Sequence, residues 1–140
     1  MKFSVEPVTW STHQPSLHSV RHTVFVIGQN VPPEIEVDAL DPECFHFLAS
    51  DLDGNPVGTA RVDHEGHIGR VAVLEAWRGC GVGTALMEAA VECVREQKLP
   101  AALLNSQTSA ARFYEKLGFA AEGEEFMEAG IPHIAMSKRF

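Results

Sequence analysis

Six residues, RGCGVG from Arg78 to Gly83, set three glycines and one arginine between an apolar run ending at Leu74 and a helical pattern starting near Val82. Backbone N–H groups at a helix start lack partners, the helix dipole adds partial positive charge, and glycines let a ligand approach the backbone. With the full charge of Arg78 beside them, the chemistry on offer is anion binding, phosphate above all. A tight turn packed under a sheet would use the same residues. The dinucleotide fingerprint G-x-G-x-x-G fails, since its last position falls on Thr84 or Leu86. A Walker loop fails as well, because no lysine lies between Arg78 and Lys98. Cys80 lacks the glycines of a nucleophile elbow, having Arg78 and Val82 where they belong. His18 and His22 are spaced like metal ligands but have no third ligand beside them, so no metal is expected.

The elements that must position this loop follow from periodicity. FSVEPVT alternates as an opening strand, with Pro7 marking a sheet edge. From Pro15 to Val26, Leu17, Val20, Val24 and Phe25 recur at helical spacing. GQNVPPEIEVDALDPE is too irregular for a helix and reads as a long loop. CFHFLASD and PVGTARVD form strands joined by DGN, and IGRVAVL a further strand after HEG. Beyond the glycine loop, VGTALMEAAVECVREQ is an amphipathic helix with Val82, Leu86, Ala89, Cys93 and Val94 on its stripe. PAALLN is a short strand and SAARFYEKLGF a helix stopped by Gly118, while EEFMEA and HIAMSKRF are strands separated by GIP. The order β-α-β-β-β-α-β-α-β-β predicts an α+β fold, a mixed sheet with helices on its faces, with residues 1–140 as a single domain.

Composition narrows the function classes. A chain of 140 residues with 45% hydrophobic content suits a globular domain. A net charge of −8 is a poor footprint for nucleic acid or an anionic membrane, and no partner of either kind is expected. Three cysteines without C-x-x-C spacing suit a reducing compartment, and MKFSVEPVTW has no signal-like apolar run, so a cytoplasmic location is expected. Homodimerisation is left open, since no feature of the sequence specifies it.

VAVLEAWRGCGVGTALM resembles the acyl-CoA-binding motif of the GNAT superfamily of N-acetyltransferases, Arg/Gln-x-x-Gly-x-Gly/Ala after a central strand, filled by Arg78, Gly81 and Gly83. SAARFYEKLGF resembles the second GNAT motif, a tyrosine-bearing helix running into an LGF turn. VRHTVFVIGQNVPPEIEVDALD and EEFMEAGIPHIAM are similar to the YjcF-like branch, so the resemblance covers nearly the whole chain. It implies a mixed sheet splayed between its fourth and fifth strands, acetyl-CoA as acyl donor, and direct attack by a primary amine in a ternary complex.

The resemblance also implies roles. Amides of Arg78, Gly79, Cys80, Gly81, Val82, Gly83 and Thr84 would bind the CoA pyrophosphate, with Cys80 standing where a basic residue is common. Backbone at Val71 and Val73 would pair with the pantetheine arm, and the Val73 N–H would face the thioester oxygen, where charge develops. Tyr114 would protonate the leaving thiolate. Asn105 or Gln107 would bond the cofactor amides or cap the next helix. An alkylammonium of pKa about 10 must lose a proton before attack. Candidates for that base or for the acceptor site are Glu36, Asp38, Asp41, Glu125 and His133. Gly28 stands where the branch has a glutamate. That exchange and the acidic loop keep a second reading open, a CoA-binding or protein-interaction module without turnover.

Overall fold

The computed structural model describes residues 1–140 and opens with strand β1 (Phe3–Val8), helix α1 (Trp10–Arg21), a π-helical turn over His22–Ile27 and a single-turn helix α2 (Pro33–Glu36). Strands β2 (Phe45–Asp51), β3 (Pro56–Val62) and β4 (His67–Val73) precede helix α3 (Val82–Glu96) and strand β5 (Ala101–Gln107). Helix α4 (Ala111–Lys116) and strands β6 (Ala120–Glu128) and β7 (Ile131–Arg139) complete the chain. The strands form one sheet in the order β1-β2-β3-β4-β5-β7-β6, in which β4 and β5 are the parallel neighbours. Pro7 therefore sits on an edge strand, where its missing N–H costs no ladder bond.

Alternation along β2 sorts the helices onto two faces. Phe47 and Ala49 join the main core with Val82, Leu86, Met87, Ala90 and Val94 of α3, whereas Leu48 between them packs with Trp10 and Leu17 of α1. β4 repeats the division: Ala72 meets Val20 and Val24, while Val71 and Val73 pack on the α3 side. The buried stripe of α3 thus uses Met87 and Ala90 where sequence periodicity favours Ala89 and Cys93, which are only half-buried. Both sets lie on one broad face; the wall of the sheet decides which part of it is covered.

Several boundaries differ from expectation, β6 starting at Ala120 rather than at Glu124 and β5 running on to Gln107. α1 begins before Pro15 because the Thr9 hydroxyl accepts from the Thr12 N–H at 3.3 Å and caps the helix. His13 then leaves helical geometry (φ −128°), so Pro15 falls in the first turn after a kink, where no N–H is needed. The Pro-rich loop holds α2, started by Pro33 in the same way. The last hairpin turns at Ala129 and Gly130, and the GIP segment belongs mostly to β7.

That loop is fastened by charge. Arg21 has no exposed side chain and forks onto both Asp41 oxygens at 2.8 and 3.1 Å, while its Nε reaches Glu36 at 3.0 Å. Arg61 of β3 forks onto Asp38 at 2.8 and 2.9 Å and also donates to Asp41 at 2.9 Å. Arg70 of β4 reaches Glu36 at 3.0 Å and Asp38 at 3.2 Å. Three guanidiniums and three carboxylates close a neutral cluster that pins the α1–β2 connection onto the sheet. Burial would raise the Asp41 carboxyl, but the hydrogen bonds and charges of Arg21 and Arg61 and the Asp38 N–H outweigh it and hold the value at about 2.

Replacing Arg21 by methionine leaves two buried carboxylates short of their cation, and should cost about 3–5 kcal/mol in urea unfolding at pH 7. Because the Asp41 value is depressed, its contribution is complete above the usual 3.8 and drains away as the pH falls toward about 2. The urea midpoint of the wild type should therefore decline across that window, and decline less in Asp41→Asn, which has already lost the term.

Candidate functional site

β4 and β5 pair at His67 with Leu103 and at Ile68 with Leu104, and nowhere beyond. An extra β4 residue helps part them. Thr59 faces Ala72 and Arg61 faces Gly69, so β4 spends three steps where β3 spends two, with Arg70 at φ 52° in the bulge. The Thr59 hydroxyl donates to the Arg70 carbonyl at 2.8 Å, which fixes the distortion. Between the diverging strands lies a cleft of about 1220 Å³, large enough for an extended cofactor arm and a second small molecule.

One wall of the cleft is an unpaired strand edge. The Leu74 N–H donates to Val57 of β3 at 2.9 Å, so by alternation the polar groups of Val73 turn away from β3 and toward the opening. The Arg78 Nε, donating to the Val73 carbonyl at 3.1 Å, agrees with this direction. Arg78 thus ties the glycine loop to the strand as well as placing charge beside it.

At the cleft's end Gly79 (φ 77°) and Gly81 (φ 89°) adopt left-handed conformations that a side chain would strain. Gly81 is the N-cap of α3 and provides no side-chain cap, and the first helical bond runs from Ala85 to the Gly81 carbonyl. The N–H groups of Val82, Gly83 and Thr84 are left without intrahelical partners, a backbone arrangement whose partial positive charge suits an anion. A Cβ on Gly83 would stand 3.2 Å from the Phe113 ring, so any side chain there would push that ring back by a few tenths of an ångström.

The other wall carries Asn105 and Gln107 of β5 and Tyr114 of α4. Tyr114 lies edge-on to Phe113 and Phe119 with centroids 5.0 and 6.2 Å away, and burial pushes its phenol up to about 12. Its hydroxyl has no partner in the chain and is not sealed off, so it remains a protonated donor facing the opening. The Gln107 amide donates to Gln29 at 2.7 Å and accepts from it at 3.4 Å, a reciprocal pair joining the N-terminal segment to β5.

The structure brings Val71, Val73, Arg78, Gly79, Gly81, Gly83, Thr84, Asn105, Gln107 and Tyr114 to one cleft, with Glu36, Asp38 and His133 also on its wall. Cys80 and Val82 lie outside its lining: Cys80 Sγ rests 3.8 Å from the Met1 sulfur, and Val82 is core. Asp41 is buried behind Arg21 and Arg61, and Glu125 is exposed on β6; neither lines the cleft. Glu36 and Asp38 are engaged by arginines rather than free as bases. Sequence reasoning missed those arginines, although Arg21 sits one turn from Leu17 on the apolar stripe and Arg61 within a strand, both positions where a charge needs partners. It also missed Gln29, Phe113 and Glu128.

The model of the acetyltransferase (GNAT) domain matches residues 24–140. The uncharacterized N-acetyltransferase YjcF of Bacillus subtilis is 41% identical over 123 residues, covering 85% of this chain and 87% of its own. The crystal structure of an acyl-CoA N-acyltransferase from Pseudomonas aeruginosa superposes with a TM-score of 0.85 at 31% identity, covering 98% of this chain and 99% of that one. An acetyltransferase from Bacillus anthracis, solved in complex with acetyl coenzyme A, shares the fold with a TM-score of 0.61 at 23% identity over 71% of this chain and 64% of that one. With an opened β4–β5 edge, a glycine turn at its end and these likenesses along nearly its whole length, the chain belongs to the GNAT family of acetyltransferases.

Proposed function

We propose that this acyltransferase moves an acetyl group from acetyl-CoA to a primary amine, which attacks the thioester directly while both are bound. The observation that carries this reading is the Tyr114 hydroxyl, a proton donor without a partner, set in the wall opposite a β4 edge that β5 does not pair beyond Ile68. The unpaired amides of Val82, Gly83 and Thr84 suit a pyrophosphate, and the edge of β4 suits an amide-bearing arm laid along it as a further strand. The Bacillus anthracis structure, holding acetyl coenzyme A on the same fold, supports acetyl-CoA as the ligand. In this arrangement the Val73 N–H points at the thioester oxygen as it gains charge.

A phenol at about 12 is a weak acid beside a free thiol. The apolar surroundings that raise it also disfavour a bare thiolate, which brings the two groups closer to balance. Tyr114 therefore gives its proton as the carbon–sulfur bond breaks, when the sulfur is most basic.

Calorimetric titration should show one acetyl-CoA site, and absence of binding at near-millimolar ligand would sink the proposal. CoA release in the presence of primary amines separates transfer from a silent cofactor-binding module, which would release none. Tyr114→Phe should lower kcat by about 100-fold with acetyl-CoA binding unchanged. An unaltered rate would remove Tyr114 from the chemistry.

A further inference from the structure

The β6–β7 hairpin brings one imidazole to the cleft with its hydrogen already assigned. Glu128 and Ile131 are partners across a two-residue turn in which Ala129 (φ 52°) and Gly130 (φ 75°) both take positive φ, as in a type I′ hairpin. The tight closure leaves the Ile131 carbonyl 2.7 Å from His133 Nδ1. A carbonyl has no proton to give, so Nδ1 carries the hydrogen and the neutral ring's lone pair lies on Nε2. Phe126 stacks on the ring with centroids 6.0 Å apart and an interplanar angle of 25°, which fixes its plane.

His133 is only 8% exposed, yet its Nε2 has no hydrogen-bond partner and is not sealed away; the side chain lines the cleft. Glu128 Oε2 stands 3.5 Å from it, while the neighbours on β5 and β6, Gln107 and Phe126, carry no charge. Among the carboxylates of the cleft wall, Glu36 and Asp38 are held by arginines and Asp63 accepts from N–H groups of its own turn. Glu128 has no guanidinium partner. A lone pair and a carboxylate at this range are both acceptors, and one ammonium lying beside them can donate an N–H to each.

We propose that His133 Nε2 is the proton acceptor for the attacking amine and that Glu128 draws in its ammonium form, so that alkylammonium ions are the acceptors this cleft selects. The assignment rests on the acetyl-transfer reading above. R–NH3+ gives one proton to Nε2, and the freed nitrogen lone pair forms the C–N bond as the carbonyl electrons move to oxygen. Collapse breaks the C–S bond, the sulfur takes the Tyr114 proton, and the N-protonated amide returns a proton to the tyrosinate through water. One proton remains on His133 and leaves to solvent, so the products are the amide, CoA thiol and a proton.

The test measures CoA release by the full chain with saturating acetyl-CoA and one of four acceptors, 1,4-diaminobutane, benzylamine, glucosamine or methoxyamine, the last already neutral at pH 7. His133→Asn keeps an N–H for the Ile131 carbonyl while deleting Nε2, and retained acetyl-CoA binding shows that it folds. Its kcat/KM should fall by about 100-fold on the alkylammonium acceptors and by less than about threefold on methoxyamine. The wild-type rate on alkylammonium acceptors should decline toward acid as the imidazole protonates, and the variant should lack that limb. Glu128→Gln, at the exposed end of the hairpin, should raise KM for diaminobutane several-fold with kcat little changed. Equal losses on both kinds of acceptor, or a loss below about tenfold on the alkylammonium ones, overturn the assignment. Should methoxyamine not react, the acid limb decides alone. Transfer to methoxyamine only overturns this assignment and spares acetyl transfer, whereas transfer to none of the four overturns both.

Discussion

A sheet that stops pairing in its middle exposes backbone groups that water or a ligand must satisfy, and everything around the site follows from how that opening is held. β4 and β5 keep two pairs of partners and then part. β4 stays in place because β3 pairs with its other edge, and because Arg70, at the bulge itself, is fastened to Glu36 and Asp38. The ionic cluster links the N-terminal helix, the Pro-rich connection and the two strands behind the opening. Its energy is less informative than its geometry: forked guanidiniums accept few alternative arrangements, so the cleft wall they support has a fixed shape.

Much of this was legible in the sequence where a local pattern had a local cause. The order of elements, the edge position of β1 and the glycine turn before α3 each follow from periodicity, a proline or a positive φ that only neighbours determine. The failures share another origin. Glu36, Asp38 and Asp41 look alike as acidic loop residues, and their capture in one ionic cluster, with Asp41 kept off the cleft wall, depends on Arg21, Arg61 and Arg70, which lie far away in the chain. His133 and Glu128 are similarly brought together by the register of a hairpin that turns at Ala129 and Gly130 rather than over the GIP segment. One signal was available and unused: a charge on an apolar stripe, as at Arg21, demands a partner somewhere, and the nearest acidic loop is the obvious supplier.

The site also divides its labour by dielectric. Tyr114 is enclosed by rings and keeps its proton, whereas Glu128 stands half-exposed at the open end of a hairpin. The unpaired amides of α3 begin at the glycine loop, whereas Glu128, which neither an arginine nor a turn of N–H groups holds, is on the β6–β7 hairpin. A net charge of −8 spread over the chain reveals none of this, because the useful fields come from a few groups and from which of them are neutralised.

The reciprocal amide pair of Gln29 and Gln107 has a thermodynamic side. Each carboxamide uses one donor and one acceptor on its partner and retains one of each. A free glutamine surrenders roughly 1.5–2 kcal/mol of rotamer entropy when it is immobilised. Here that loss is incurred during folding, so the Gln107 carboxamide is held in one orientation on the cleft wall before anything enters, and an amide that used its remaining donor and acceptor would cost little further ordering.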